Sequence, residues 1–206
     1  MHIACVRGDD TLVGALIRLG ACNCKSPDSS GSFPLHLACS GFGRGIGISN
    51  DDAYDEVEDR RRLNCVRILL DEGGVPLSMK NQSKQTCLHC ATRGGYRLLL
   101  QFLLQRWEMD EKIKAVPLWG TCKADWQDRW HRSCVHWAVL HCRLNILKTL
   151  LQHGCSANPP KPRSKTKRTS GAVEFPIEIC ERLYSESSDV GVQIRDLLSS
   201  FNVTNR

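Results

Sequence analysis

The sequence predicts an all-α fold of stacked helix pairs, on three observations. A short signature recurs along the chain, a leucine-rich segment of helical period follows each copy, and cap or glycine residues stand where each helix begins and ends. One amphipathic pair cannot bury its own apolar stripe, so pairs of this kind must stack on one another.

The signature appears as Met1-His2-Ile3-Ala4-Cys5, Leu35-His36-Leu37-Ala38-Cys39, Leu88-His89-Cys90-Ala91-Thr92 and Val135-His136-Trp137-Ala138-Val139. The first interval between histidines is one period of about 33 residues. The next two are one period plus insertions of roughly 20 and 14 residues.

A second helix follows each copy. Its apolar positions are Leu12, Val13, Leu16 and Ile17 in the first copy, and Val66, Leu69 and Leu70 in the second. In the third they are Leu99, Leu100, Leu103 and Leu104, and in the fourth Ile146, Leu147, Leu150 and Leu151. These spacings place the side chains on one stripe of a helix. Thr86 and Ser133 stand where a hydroxyl caps the first helix, and Pro34 and Pro176 fit its first turn. Gly20, Gly73-Gly74 and Gly154 close the second helix.

With Leu-His-x-Ala repeated and Gly154-Cys155-Ser156-Ala157-Asn158 after the fourth copy, the chain resembles the ankyrin family, whose repeat carries Thr-Pro-Leu-His-x-Ala. The resemblance implies an ankyrin-repeat solenoid with about four recognisable repeats and a degenerate C-terminal cap. It implies that His36, His89 and His136 hydrogen-bond backbone in the connecting turns, with Thr86 and Pro34 as further signature residues. It also implies a non-catalytic scaffold or adaptor that binds a partner protein through its finger edge and concave helix face.

The expected organisation is a repeat region over 1–158, with a partial first repeat over 1–24 and a second over 25–79 interrupted by an insertion at 41–62. A third repeat covers 80–104, an insertion 105–127 and a fourth repeat 128–158. A basic Pro/Ser/Thr-rich linker over 159–173 then leads to a degenerate fifth repeat or capping helices over 174–206. The first copy starts at its signature, which suggests a sequence lacking upstream repeats. The 41–62 segment, with Gly41, Gly43, Gly45 and Gly47 before a run of acids, reads as a solvated loop. Its glycines lack the G-x-G-x-x-G spacing and follow a helix, not a strand. In the last segment Glu178 takes the place of the signature histidine.

Departures from the repeat are where individual function is expected. Trp107, Trp119, Trp126 and Trp130 cluster around the second insertion, with Arg129 beside them. Tryptophan and arginine are enriched where binding energy concentrates, so these five residues are the candidate partner surface. Lys161, Arg163, Lys165, Lys167 and Arg168 form a basic tract whose composition does not fold alone. An alternative reading makes the chain a nuclear adaptor that uses this tract for import or for an anionic contact.

Twelve cysteines raise the question of metal. Cys5, Cys39, Cys155 and Cys180 replace alanine-like residues and Cys87 and Cys134 take the signature's proline position, small apolar slots that suit a buried thiol. Zinc near Cys122, His131 and Cys134 is the lesser alternative, because Cys87 and Cys90 have no second CxxC partner. No metal and no cofactor is therefore assigned. No nucleophile elbow, P-loop or H-E-x-x-H occurs, which argues against an enzyme.

The remaining expectations follow from composition. A net charge of +6 on 206 residues gives only a weak pull toward acidic partners, and nucleic acid is not the expected one. No stretch approaches the roughly 20 apolar residues of a membrane span, and the first residues lack the layout of a secretory signal. A monomer in the cytoplasm or nucleus is the expectation.

Overall fold

The computed structural model describes residues 1–41, 55–109, 126–159, 174–185 and 188–203. These are all helix and connecting turns, with no strand among the described residues. The helices are α1 (His2–Arg7), α2 (Asp10–Arg18), α3 (Pro34–Ser40), α4 (Glu56–Asp71) and α5 (Cys87–Gly94). They continue with α6 (Arg97–Met109), α7 (Cys134–Leu140), α8 (Leu144–Gln152), α9 (Pro176–Leu183) and α10 (Asp189–Val203). Among the described residues no helix is long and apolar enough to cross a membrane.

Packing follows a two-layer rule. Consecutive helices pair as α1 with α2, α3 with α4, α5 with α6, α7 with α8 and α9 with α10. The short odd-numbered helices stack in one row, and the even-numbered helices stack in a second. The anticipated leucine stripes supply the core between the rows: Leu99, Leu100, Leu103, Ile146, Leu147 and Leu150 are all buried. The signature alanines Ala38, Ala91 and Ala138 are buried in the other row, where a larger side chain would separate neighbouring helices. Thiols fill similar slots, with Cys5, Cys39, Cys87, Cys134 and Cys180 buried.

Helix occupies part of both expected insertions. Within the first, expected over 41–62, α4 begins at Glu56 behind an Asp55 cap. Asp55 accepts from the Val57 and Glu58 amides at 3.0 and 3.1 Å. Of the acids expected in a solvated loop, Glu56, Glu58 and Asp59 thus form the first turn of a helix, where carboxylates oppose the positive end of its dipole. Likewise α6 runs through residues 105–109, which had been assigned to the second insertion, because Trp107 continues its apolar stripe and is 3% exposed.

Asp59 shows why that first turn matters. It is fully buried, and its carboxylate accepts from the Leu98 and Leu99 amides at 2.8 and 3.1 Å. It therefore caps α6 from the preceding outer helix, satisfying donors that no residue of α6 itself can reach. Replacing Asp59 with alanine should cost about 3 kcal/mol, since both bonds are charge-assisted and buried. Urea denaturation followed by circular dichroism measures it, and a loss below about 1 kcal/mol would show the cap to be dispensable.

Candidate functional site

Between the helix pairs the chain makes three turns of one design. In the first, Asp28 Oδ1 accepts from the Ser30 and Ser32 amides, each at 2.9 Å. In the second, Asn81 Oδ1 accepts from the Gln85 amide at 2.9 Å. In the third, Asp128 Oδ1 accepts from the Trp130 and Arg132 amides at 2.8 and 3.0 Å. The backbone must turn left-handed at the fourth residue, where φ is 71° at Gly31, 59° at Lys84 and 61° at His131. Glycine is needed only in the first turn, because a Cβ there would lie 2.5 Å from Gln82 Cβ.

That close approach is a contact between neighbouring turns. The Gln82 amide donates to the Gly31 carbonyl at 3.2 Å, and the Arg129 amide donates to the Ser83 carbonyl at 2.9 Å. The tips therefore form one continuous edge, each registered on the last.

Histidines tie this edge to the row of short helices. Nε2 of His2, His36, His89 and His136 lies 3.0, 2.9, 3.2 and 3.1 Å from the carbonyls of Ser26, Gln85, Arg132 and Glu174. With Nε2–H donating, Nδ1 is left as an acceptor. It takes the Thr86 amide at 3.2 Å in His89 and the Ser133 amide at 3.0 Å in His136. His36 follows Phe33 and Pro34, which offer no such hydroxyl cap, and its Nδ1 is buried without a hydrogen-bond partner. In the last pair Glu178 replaces histidine, and its carboxylate accepts from the Phe175 amide at 2.6 Å. Burial pushes His36 and His136 down to about 4, and it lowers His89 as well.

The five candidate contact residues separate. Trp107 belongs to the core; its ring lies edge-on to Trp126 at 5.5 Å, so it is not offered to a partner as anticipated. Trp126 is half-buried on that ring, with Lys80 Nζ 4.5 Å from its centroid. Trp130 is 49% exposed at the tip of the third turn, and Arg129 lies over it at 5.7 Å. Trp119 and Cys122 lie outside the described residues, as does the basic tract Lys161, Arg163, Lys165, Lys167 and Arg168.

The structure adds residues the sequence reading passed over. Trp137, at the variable position of the signature, packs edge-on against Trp130 at 6.5 Å and stacks on His141 at 5.6 Å. Arg132 lies over the Trp137 ring at 5.6 Å. Asp128, only 3% exposed, organises the whole group: one oxygen builds the turn that lifts Trp130, and the other accepts from Trp137 Nε1 at 3.0 Å. The available signal was the pairing of signature and turn, since a large side chain between His136 and Ala138 must face the turn beside it.

Cys5, Cys65 and Cys90 are poor nucleophiles. Burial pushes Cys5, Cys65 and Cys90 up to about 12, so little thiolate exists at neutral pH. Cys134, one of the residues considered for zinc, is fully buried. Among the described residues no three His, Cys, Asp or Glu side chains converge where a metal ion could be held.

Compared with known protein families, residues 130–162 match the ankyrin repeat. The matched span begins at Trp130 and contains α7, α8 and the turn after them.

Proposed function

We propose that this ankyrin-repeat protein is a short solenoid that binds a partner protein and catalyses nothing itself. The helix pairs serve as successive repeats: α1–α2 is a partial first, α3–α4 a second with an insertion, α5–α6 a third and α7–α8 a fourth. The α9–α10 pair is a degenerate cap. On this reading the chain acts as an intracellular monomer, and the basic linker is a secondary feature. Ankyrin repeats are generally interaction modules, and the buried thiols and the signature histidines His36, His89 and His136 are committed to packing and backbone hydrogen bonds.

One observation carries the proposal. Trp130 is held half exposed at the tip of a turn that is itself locked by a buried carboxylate and by hydrogen bonds to its neighbours. The exposed half of the ring adds little to folding beyond the edge contact with Trp137, whereas a preorganised ring lowers the ordering cost of binding.

Alanine at Trp130 should weaken capture of cognate proteins by about 2 kcal/mol, roughly 30-fold in Kd, with the helical circular dichroism unchanged. Quantitative affinity capture from cell extract, wild type against Trp130→Ala, followed by titration of the proteins that differ, makes the comparison. Capture profiles that coincide would remove Trp130 and its turn from the binding surface.

A further inference from the structure

The two layers of the molecule differ in how they treat charge. The outer helices mix acids with their cations, and four pairs close: Arg18 with Glu72 at 3.4 Å, Arg60 with Glu56 at 2.7 Å, Arg62 with Glu58 at 2.8 Å and Arg106 with Asp71 at 2.7 Å. The turn edge and the short helices beside it are not built this way. Residues 74–96 and 126–143 carry six Lys and Arg side chains and a single carboxylate, Asp128. That carboxylate is buried and fully used on the Trp130 and Arg132 amides and on Trp137 Nε1. Glu174 borders this region, but Arg182 clamps it with bonds of 2.9 and 2.8 Å. Among the described residues, Lys80, Arg129 and Arg132 make no ion pair.

These three cations stand on or beside adjoining turns. Each lies over a tryptophan, Lys80 on Trp126, Arg129 on Trp130 and Arg132 on Trp137, and the Arg129 amide joins its turn to the one that carries Lys80. Like charges on adjoining turns repel, and Asp128 with the shared Glu174 balances this row of three only in part, so an anionic ligand would relieve the remaining cost.

We infer that this edge binds an acidic peptide segment, whose carboxylates meet Lys80, Arg129 and Arg132 while Trp130 packs against its apolar side chains. The inference rests on the partner-binding reading above and narrows it to one chemistry. A polynucleotide is also anionic, but single strands gain their affinity by stacking bases on open aromatic faces. Here each ring already carries a cation, Trp137 is also stacked on His141, and Trp126 leans on Trp107. Guanidinium groups at a rim suit carboxylates, which they meet in a planar bidentate fork.

Fluorescence anisotropy with a labelled oligoglutamate peptide tests it, against oligoglutamine and oligouridylate of equal length. Oligoglutamate should bind, oligoglutamine should not, and added salt should weaken the complex. The triple variant Lys80→Glu, Arg129→Glu, Arg132→Glu should lower the affinity at least about tenfold, and Arg129→Gln alone should give a smaller loss in the same direction. Changing Lys161, Arg163, Lys165, Lys167 and Arg168 to glutamine should leave binding at the turn edge in place. The inference is overturned if oligoglutamate binds no better than oligoglutamine, if its binding follows the 161–168 tract, or if oligouridylate is the preferred ligand of these three cations. Capture that still depends on Trp130 would then leave the partner-binding reading standing and remove only the acidic preference.

Discussion

Replacing Arg62 with methionine should destabilise the protein by about 3–5 kcal/mol, the loss typical of a buried ionic network deprived of one member. Arg62 is 1% exposed, yet it is a charged residue in the middle of a stack of apolar helices. Its Nη1 donates to the Ala38 carbonyl at 3.1 Å and its Nη2 to the Val6 carbonyl at 2.9 Å. Those carbonyls lie in the last turns of α3 and α1, where acceptors have no partner within their own helix. A guanidinium from an outer helix thus closes two successive short helices at once, and its charge complements the negative end of both dipoles. Glu58 neutralises it at 2.8 Å, and the Tyr96 ring lies against it at 4.9 Å, with the Tyr96 hydroxyl donating to Glu58 at 3.0 Å.

Methionine fills most of the space but leaves two buried carbonyls unsatisfied and Glu58 without its cation. Lysine should recover only part of the loss, because one ammonium cannot span three acceptors in a planar fork. Urea denaturation of wild type, Arg62→Met and Arg62→Lys gives the three values. A methionine variant within about 1 kcal/mol of wild type would mean that this network contributes little beyond its packing.

The contrast between Arg62 and the leucine stripes explains what the sequence made legible. Leu99, Leu103, Ile146 and Leu150 were readable because burial of apolar side chains imposes a helical period. The signature histidines were readable because their position repeats. Arg62, Asp59 and Glu58 carry no such mark: composition classes them as solvated, and their burial depends on helix ends brought near by tertiary stacking. The i,i+4 pairs Glu56–Arg60 and Glu58–Arg62 were the one local hint that a helix had already begun. The candidate site divides along the same line. Trp130 stood out as an aromatic at a turn, whereas the burial of Trp107 is set by its place on the α6 stripe. Trp137 went unweighted because nothing local in the sequence says that Asp128 holds it.

Mild acid should unfold this protein well before its carboxylates titrate. A histidine held neutral in the fold stabilises it fully above its unfolded value of 6.5, and that contribution is lost as pH falls below 6.5 toward the folded value. Burial pushes His36, His136 and His141 down to about 4, for a reason visible in the geometry at His136. Its Nδ1 accepts the Ser133 amide while Nε2–H serves the Glu174 carbonyl, so a second ring proton would face an N–H donor. His89 repeats this arrangement with Thr86 and Arg132.

The unfolded chain therefore binds more protons than the fold between pH 6.5 and 4, and stability declines throughout that window. The loss between pH 7 and pH 5 should be on the order of 6 kcal/mol, a large share of a small domain's total. Hydrogen bonds hold the Asp9 and Asp28 carboxyls below their usual range, and Arg182 does the same for Glu174. Those groups stabilise the fold above their unfolded values and lose that contribution only in stronger acid, so the two phases are separable. Melting temperature measured from pH 8 to pH 4 should fall steeply from about pH 6.5 downward. His141→Phe keeps an aromatic ring on Trp137 while removing one titrating group, and it should flatten that fall; Arg62→Met should lower the whole curve without changing its slope. A melting temperature constant from pH 7 to pH 5 would contradict the account, because it would require four buried imidazoles to accept protons in place.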